Sequence, residues 1–118
     1  MPVGPRVHDG YRSLLWYLLA GTRGGPNRMR ILEELRSQPG NAHQLAQALH
    51  MDYRTVRHHL ALLERNRVVV RPIGTAYASP YELAPQVQVQ FEIVREIRES
   101  GSRRTARRDR PLAERSAP

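Results

Sequence analysis

The segment "NAHQLAQALHMDYRTVRHHLALLERN", Asn41 to Asn66, constrains the fold more than any other stretch of the chain. Ala42, Leu45, Ala46 and Leu49 recur at i, i+3, i+4 and i+7, the spacing of one buried helical face. Asn41 precedes them and Gln44 follows three residues on, the pattern of a capping box in which each side chain satisfies the other's backbone N–H. His50 and Met51 make a short turn. Asp52 then caps a second helix, Tyr53 to about Asn66, with Val56, Leu60 and Leu63 on its apolar face. Two amphipathic helices joined by so short a turn cross at a steep angle, which leaves one face of the second free to project outward.

The flanking segments complete the pattern. Residues 1–8 hold two prolines and one glycine and are expected to be disordered. Asp9 can cap a helix from Gly10 to Ala20, stopped by Gly21 and "RGGP"; residues 9–25 are thus a helix and a flexible joint. Pro26 suits the first turn of the next helix, whose apolar side is Met29, Ile31, Leu32 and Leu35. After the segment quoted above, Val68 to Val70 reads as a strand, "RPIGT" as a turn, and Ala76 to Leu83 as a returning strand interrupted near Pro80. A long helix follows from Pro85 to Ser100, and residues 101–118 form an arginine-rich tail expected to be disordered. The expected fold is mostly α with a small β-hairpin: a winged helix-turn-helix over 26–84 with extra N- and C-terminal helices.

The outward face of the helix after Asp52 carries the chemistry. Arg54, Arg57, His58 and Ala61 share one side at i, i+3, i+4 and i+7, and Tyr53 and Thr55 sit in the first turn. Arginine forks suit guanine O6/N7 or phosphate oxygens, and a helix of this width enters a major groove. No acid lies on this face. Arg71 and Thr75 are the polar residues of the hairpin, and Arg23 and Arg28 at the joint are candidates for phosphate. The bland alternative is a solvated arginine face, and the helix-turn-helix layout argues against it. The net charge of +8 favours a polyanionic partner, although "SRRTARRDR" in the tail supplies part of the excess and every basic residue is an arginine, as a GC-rich genome would also produce.

The segment from Gly21 to about Tyr81 resembles the winged helix-turn-helix proteins of archaea within the arsenic-repressor-like (ArsR-type) transcription regulators. "GTRGGPNRMRILEEL", "NAHQLAQALHMDYRTVRHHLALLERNRVV" and the hairpin carry the resemblance. It implies a DNA-binding dimer with Tyr53 to His58 as the reading segment and the hairpin as the wing. Metal-sensing members of that pattern carry cysteines near the recognition helix; this chain has none, which excludes a thiolate metal sensor and any disulfide. A glycine common at the end of that helix is replaced by Asn66, which also tolerates a left-handed cap.

Other chemistries fit poorly. "GTRGGP" lacks the lysine and Ser/Thr of a phosphate-binding loop. His58 and His59 are neighbours about 100° apart around a helix and do not converge on one ion, and His43 and His50 lie about 10 Å apart along theirs. No metal or other cofactor is expected, and no acid pair or nucleophile–base spacing points to an enzyme. His58 is assigned to the outward face and His59 to packing. The longest apolar run, "LLWYLLA", is far shorter than the ~20 residues of a membrane span, and a cytoplasmic, nucleoid-associated protein is expected. The first and last helices expose more apolar surface than a small core covers, so a homodimer is expected through Leu14, Leu15, Leu18, Phe91, Val94 and Ile97; the alternative is that the two helices bury a single-chain core in a monomer. The reading is a sequence-specific regulator of double-stranded DNA. The alternatives are a sequence-tolerant architectural DNA-binding protein and a winged-helix protein-interaction module.

Overall fold

A computed structural model describes the backbone of residues 4–108 and the side chains of residues 10–101. The order of elements is α1 (Gly4–Ala20), α2 (Gly25–Ser37), α3 (Ala42–Leu49), α4 (Tyr53–Arg65), β1 (Val69–Val70), β2 (Glu82–Leu83), α5 (Pro85–Val89) and α6 (Phe91–Arg108). This is a winged helix-turn-helix with helices added at both ends. The strands pair antiparallel, Val69 opposite Leu83 and Val70 opposite Glu82, and both are shorter than the sequence pattern suggests. Tyr81 leaves the hairpin to bridge Gly40 instead, with Tyr81 N–H donating to the Gly40 carbonyl at 2.8 Å. The "QPGN" stretch before α3 therefore acts as a third, single-residue strand.

Local signals set the caps. Asn41 Oδ1 accepts from Gln44 N–H at 2.9 Å, and Gln44 Oε1 accepts from Asn41 N–H at 2.8 Å, which completes the expected capping box. Asp52 Oδ2 accepts from Thr55 N–H at 3.1 Å and opens α4 as expected. Between them His50 takes φ 54°, a left-handed conformation that turns the chain sharply, and Met51 N–H closes back on the Ala46 carbonyl at 2.9 Å. At the far end of α4 the left-handed residue is Arg67 (φ 61°), not Asn66 (φ −95°). The Asn66 side-chain amide instead donates to the Leu62 carbonyl at 2.9 Å, and the reversal one residue later delivers Val68 to the interior.

The core is one cluster. Val56, Leu60 and Leu63 of α4, Ile31 and Leu32 of α2, Leu45 of α3 and Val68 and Val69 are all essentially inaccessible to solvent. The joint between α1 and α2 is close-packed rather than flexible. A Cβ on Gly25 would stand 2.3 Å from the Leu19 carbonyl oxygen, and one on Gly24 would stand 2.6 Å from a guanidinium nitrogen of Arg28. Only residues without a side chain let α2 start this close to the end of α1.

The flanking helices depart most from expectation. α1 begins at Gly4, with Pro5 in its first turn, so Asp9 lies inside the helix instead of capping it. The long C-terminal helix is broken at Gln90: α5 packs on β2 and α6 on α1, two different partners. α6 then runs through Gly101 to Arg108, since one glycine costs a helix interior only about 1 kcal/mol. Residues 1–3 and 109–118, parts of the two termini expected to be disordered, lie outside the described residues.

The apolar residues assigned to a dimer interface are covered within one chain. Leu15, Leu18, Phe91, Val94 and Ile97 are at most 5% exposed, and Leu14 is half-buried. α1 and α6 pack against each other, the single-chain alternative to the dimer expected from the sequence. Ion pairs at the rim join α6 to α1 and α2: Arg12–Glu96 at 2.6 Å and Arg98–Glu33 at 2.8 Å. Being half-exposed, each contributes about 0–1 kcal/mol.

Candidate nucleic-acid interface

α4 divides its residues cleanly between core and solvent. Arg54, Thr55, Arg57, His58 and Ala61 are exposed and Tyr53 is half-exposed, while Val56, His59, Leu60 and Leu63 are buried. The exposed side offers two guanidinium groups, an imidazole and a hydroxyl, with no acid among them. Thr55 Oγ1 also lies 3.4 Å from Asp52 Oδ2, which orients its hydroxyl at the first turn.

Tyr53 and Arg57 do not stand alone. Arg57 donates to the Tyr53 hydroxyl at 3.3 Å, and that hydroxyl lies 3.3 Å from the hydroxyl of Tyr77 in the wing. The Tyr77 hydroxyl in turn meets Nε2 of His43 at the start of α3. The His43 ring stacks on Tyr53 with centroids 4.0 Å apart and planes 9° from parallel. Hydrogen bonding to Tyr77, then to Arg57, holds the Tyr53 phenol below its ordinary pKa, and the bond to Tyr53 pushes Tyr77 up. The same hydroxyl raises Arg57. The cluster borders an open groove lined by Asn41, Gln44, Gln47 and Met51. His43 and Tyr77 are the two members that the sequence reading passed over. Their signals were an imidazole in the first turn of α3 and an aromatic residue in a loop of small ones.

Arg28 is not at the surface. It is 4% exposed and lies beneath the joint, where Nε donates to the Leu18 carbonyl at 2.9 Å, one terminal nitrogen meets His59 Nδ1 at 3.1 Å and the other donates to Thr22 Oγ1. Its guanidinium closes the end of α1, whose last carbonyls have no partner in the helix. Because arginine only donates, His59 must accept at Nδ1 and is held neutral. Burial first, then the Arg28 and His58 charges, lowers the His59 pKa from its ordinary value. The packing role expected of His59 thus has a partner, and Arg28 is removed from the set of phosphate contacts.

Arg71 is also engaged. Its Nε and one terminal nitrogen reach the two Glu64 oxygens at 3.0 and 2.9 Å, and its guanidinium lies 4.9 Å from the Tyr81 ring centroid. This fork fastens the base of the wing to α4 and leaves Arg71 partly exposed. Thr75 and Arg23 are exposed, as a contact would require.

α4 thus presents an exposed basic face on a packed tri-helical core beside a tethered wing. Residues 25–70 match the model of the family described as bacterial regulatory protein, arsR family. The ArsR-like stretch runs from the start of α2 to the end of β1, less than half of the chain, and leaves out α1, α5 and α6. No curated protein matches the chain. The match supports a DNA-binding transcription regulator of the helix-turn-helix type. Among the described residues no three metal-binding side chains converge, and no helix is long and apolar enough to cross a membrane.

Proposed function

We propose that the chain is a sequence-specific regulator that lays α4 in the major groove of double-stranded DNA. The observation that carries this is the acid-free outer face of α4, where Arg54, Thr55, Arg57 and His58 stand exposed above a fully packed inner face. Tyr53, Arg54, Thr55, Arg57 and His58 read base edges, and Arg23 and Thr75 meet the backbone. The positive end of the α4 dipole faces the same way and favours phosphate. The five arginines between Ser102 and Arg110 add affinity that depends on salt but not on sequence.

Two copies acting together would place two reading helices about 34 Å apart, one turn of duplex. With much of the α1–α6 face spent internally, such a pairing would draw on apolar surface left uncovered among the described residues, such as Leu14 and the 61% exposed Tyr17. Light scattering on the eluting protein decides this: a monomer at micromolar concentration rules the pairing out.

The function is tested by competing a selected duplex against random duplex at near-physiological salt. Sequence-specific regulation requires a preference of at least about a thousandfold. A ratio near one contradicts it and favours an architectural role; no affinity even at low salt contradicts DNA binding altogether.

A further inference from the structure

His43, Tyr53, Arg57 and Tyr77 come from three elements, yet their polar atoms form one continuous chain on the surface. Arg57 donates to the Tyr53 hydroxyl at 3.3 Å, that hydroxyl lies 3.3 Å from the hydroxyl of Tyr77, and the Tyr77 hydroxyl meets His43 Nε2. Tyr77 is 71% exposed, so this order is not a by-product of burial. Holding four long side chains in one exposed arrangement costs rotamer entropy and returns little stability. The return comes instead on binding, where groups already oriented lose less freedom.

The same contacts fasten the wing. Its outgoing leg is held by Arg71 to Glu64, and its returning leg by Tyr77, by Asn41 Nδ2 donating to the Ala78 carbonyl at 3.5 Å and by the Tyr81–Gly40 bridge. The turn around Pro72 to Ala76 projects beyond these tethers. Wing and reading helix are therefore tied through the side chains that flank Arg57.

We propose that His43 and Tyr77 are positioning residues for DNA reading: they hold Tyr53 and Arg57 in the orientation that meets the duplex and lock the wing to α4. This rests on the reading of α4 as the recognition helix. Tyr77→Phe keeps the ring and removes the hydroxyl that joins Tyr53 to His43; His43→Phe keeps the stack on Tyr53 and removes the Nε2 partner of Tyr77.

The test measures binding of the full chain to a selected duplex and to random duplex. Each variant is expected to lose about two- to tenfold in the ratio of the two affinities, the worth of one or two hydrogen bonds. Affinity for random duplex stays within about twofold, because no phosphate contact is removed. In the double variant Tyr77→Phe, Arg57→Ala the ratio is expected to fall no further than with Arg57→Ala alone, since both act through one unit. A wild type that discriminates beside variants that discriminate equally well overturns the proposal alone, and so do additive losses in the double variant. A wild type without any sequence preference overturns the recognition-helix reading and the proposal with it.

Discussion

Replacing Arg28 by alanine separates a structural arginine from a DNA-contacting one. The guanidinium donates to the Leu18 carbonyl at 2.9 Å, meets His59 Nδ1 at 3.1 Å and reaches Thr22 Oγ1. Its removal leaves His59 Nδ1 with no donor in a site 6% exposed. An orphaned buried polar group costs about 1–3 kcal/mol. The Leu18 carbonyl loses its better partner and keeps only Thr22 Oγ1 at 3.4 Å, and a cavity opens under Gly24. Against these stands the desolvation cost of a buried cation, which the variant no longer bears. The net loss is about 2–4 kcal/mol, a large share of the ~5–15 kcal/mol that holds a domain together. With a urea slope on the order of 1.5 kcal/mol/M, the unfolding midpoint falls by about 1.3–2.7 M. The salt dependence of DNA binding by the remaining folded protein stays as in wild type. An unchanged midpoint together with a salt slope smaller by about one charge would refute this reasoning and return Arg28 to the DNA surface.

Three further outcomes follow from the same structure. The His59 pKa is lowered in the fold from an ordinary 6.5, so the unfolded chain binds the proton first: stability is full above that value, erodes as pH falls below 6.5 and levels off beneath the folded pKa. In urea melts from pH 7.5 to 5, His59→Gln is expected to show a shallower acid loss than wild type; parallel curves would remove His59 from the account. Gly25→Ala drives a Cβ to 2.3 Å from the Leu19 carbonyl and is expected to cost about 3 kcal/mol in thermal melts, whereas Gly10→Ala, inside α1 with nothing within 4 Å, is the control expected to stabilise by up to about 1 kcal/mol. Arg54→Ala, fully on the outer face, is expected to leave the melting temperature unchanged and to reduce discrimination between duplexes by about 1–3 kcal/mol in anisotropy titrations.

What could be read along the chain was local. The Asn41–Gln44 box, the Asp52 cap and the two faces of α4 each depend on residues within one or two turns, and the structure contains them as expected. What could not be read depends on distance. Nothing in the sequence marks Arg28 as interior, because its partner His59 is 31 residues away and the space for it exists only where Gly24 lacks a side chain. The α1–α6 contact misled for the same reason: two apolar helices at opposite ends of a small chain can cover each other or a second copy, and periodicity is identical in both cases. The wing was legible as a hairpin, but the tether from Tyr77 to His43 spans 34 residues and has no local signature. Even the end of α4 followed a local contest that composition does not decide, since the Asn66 amide took the Leu62 carbonyl and passed the left-handed turn to Arg67.

The central claim is that the outer face of α4 reads base pairs. Selection of bound duplexes from a random pool, run in parallel with wild type and Arg54→Ala, tests it most directly. The account predicts an enriched motif for wild type and the same motif with relaxed preference at one position for the variant. No enriched motif with wild type, or an unaltered motif with Arg54→Ala, would contradict it.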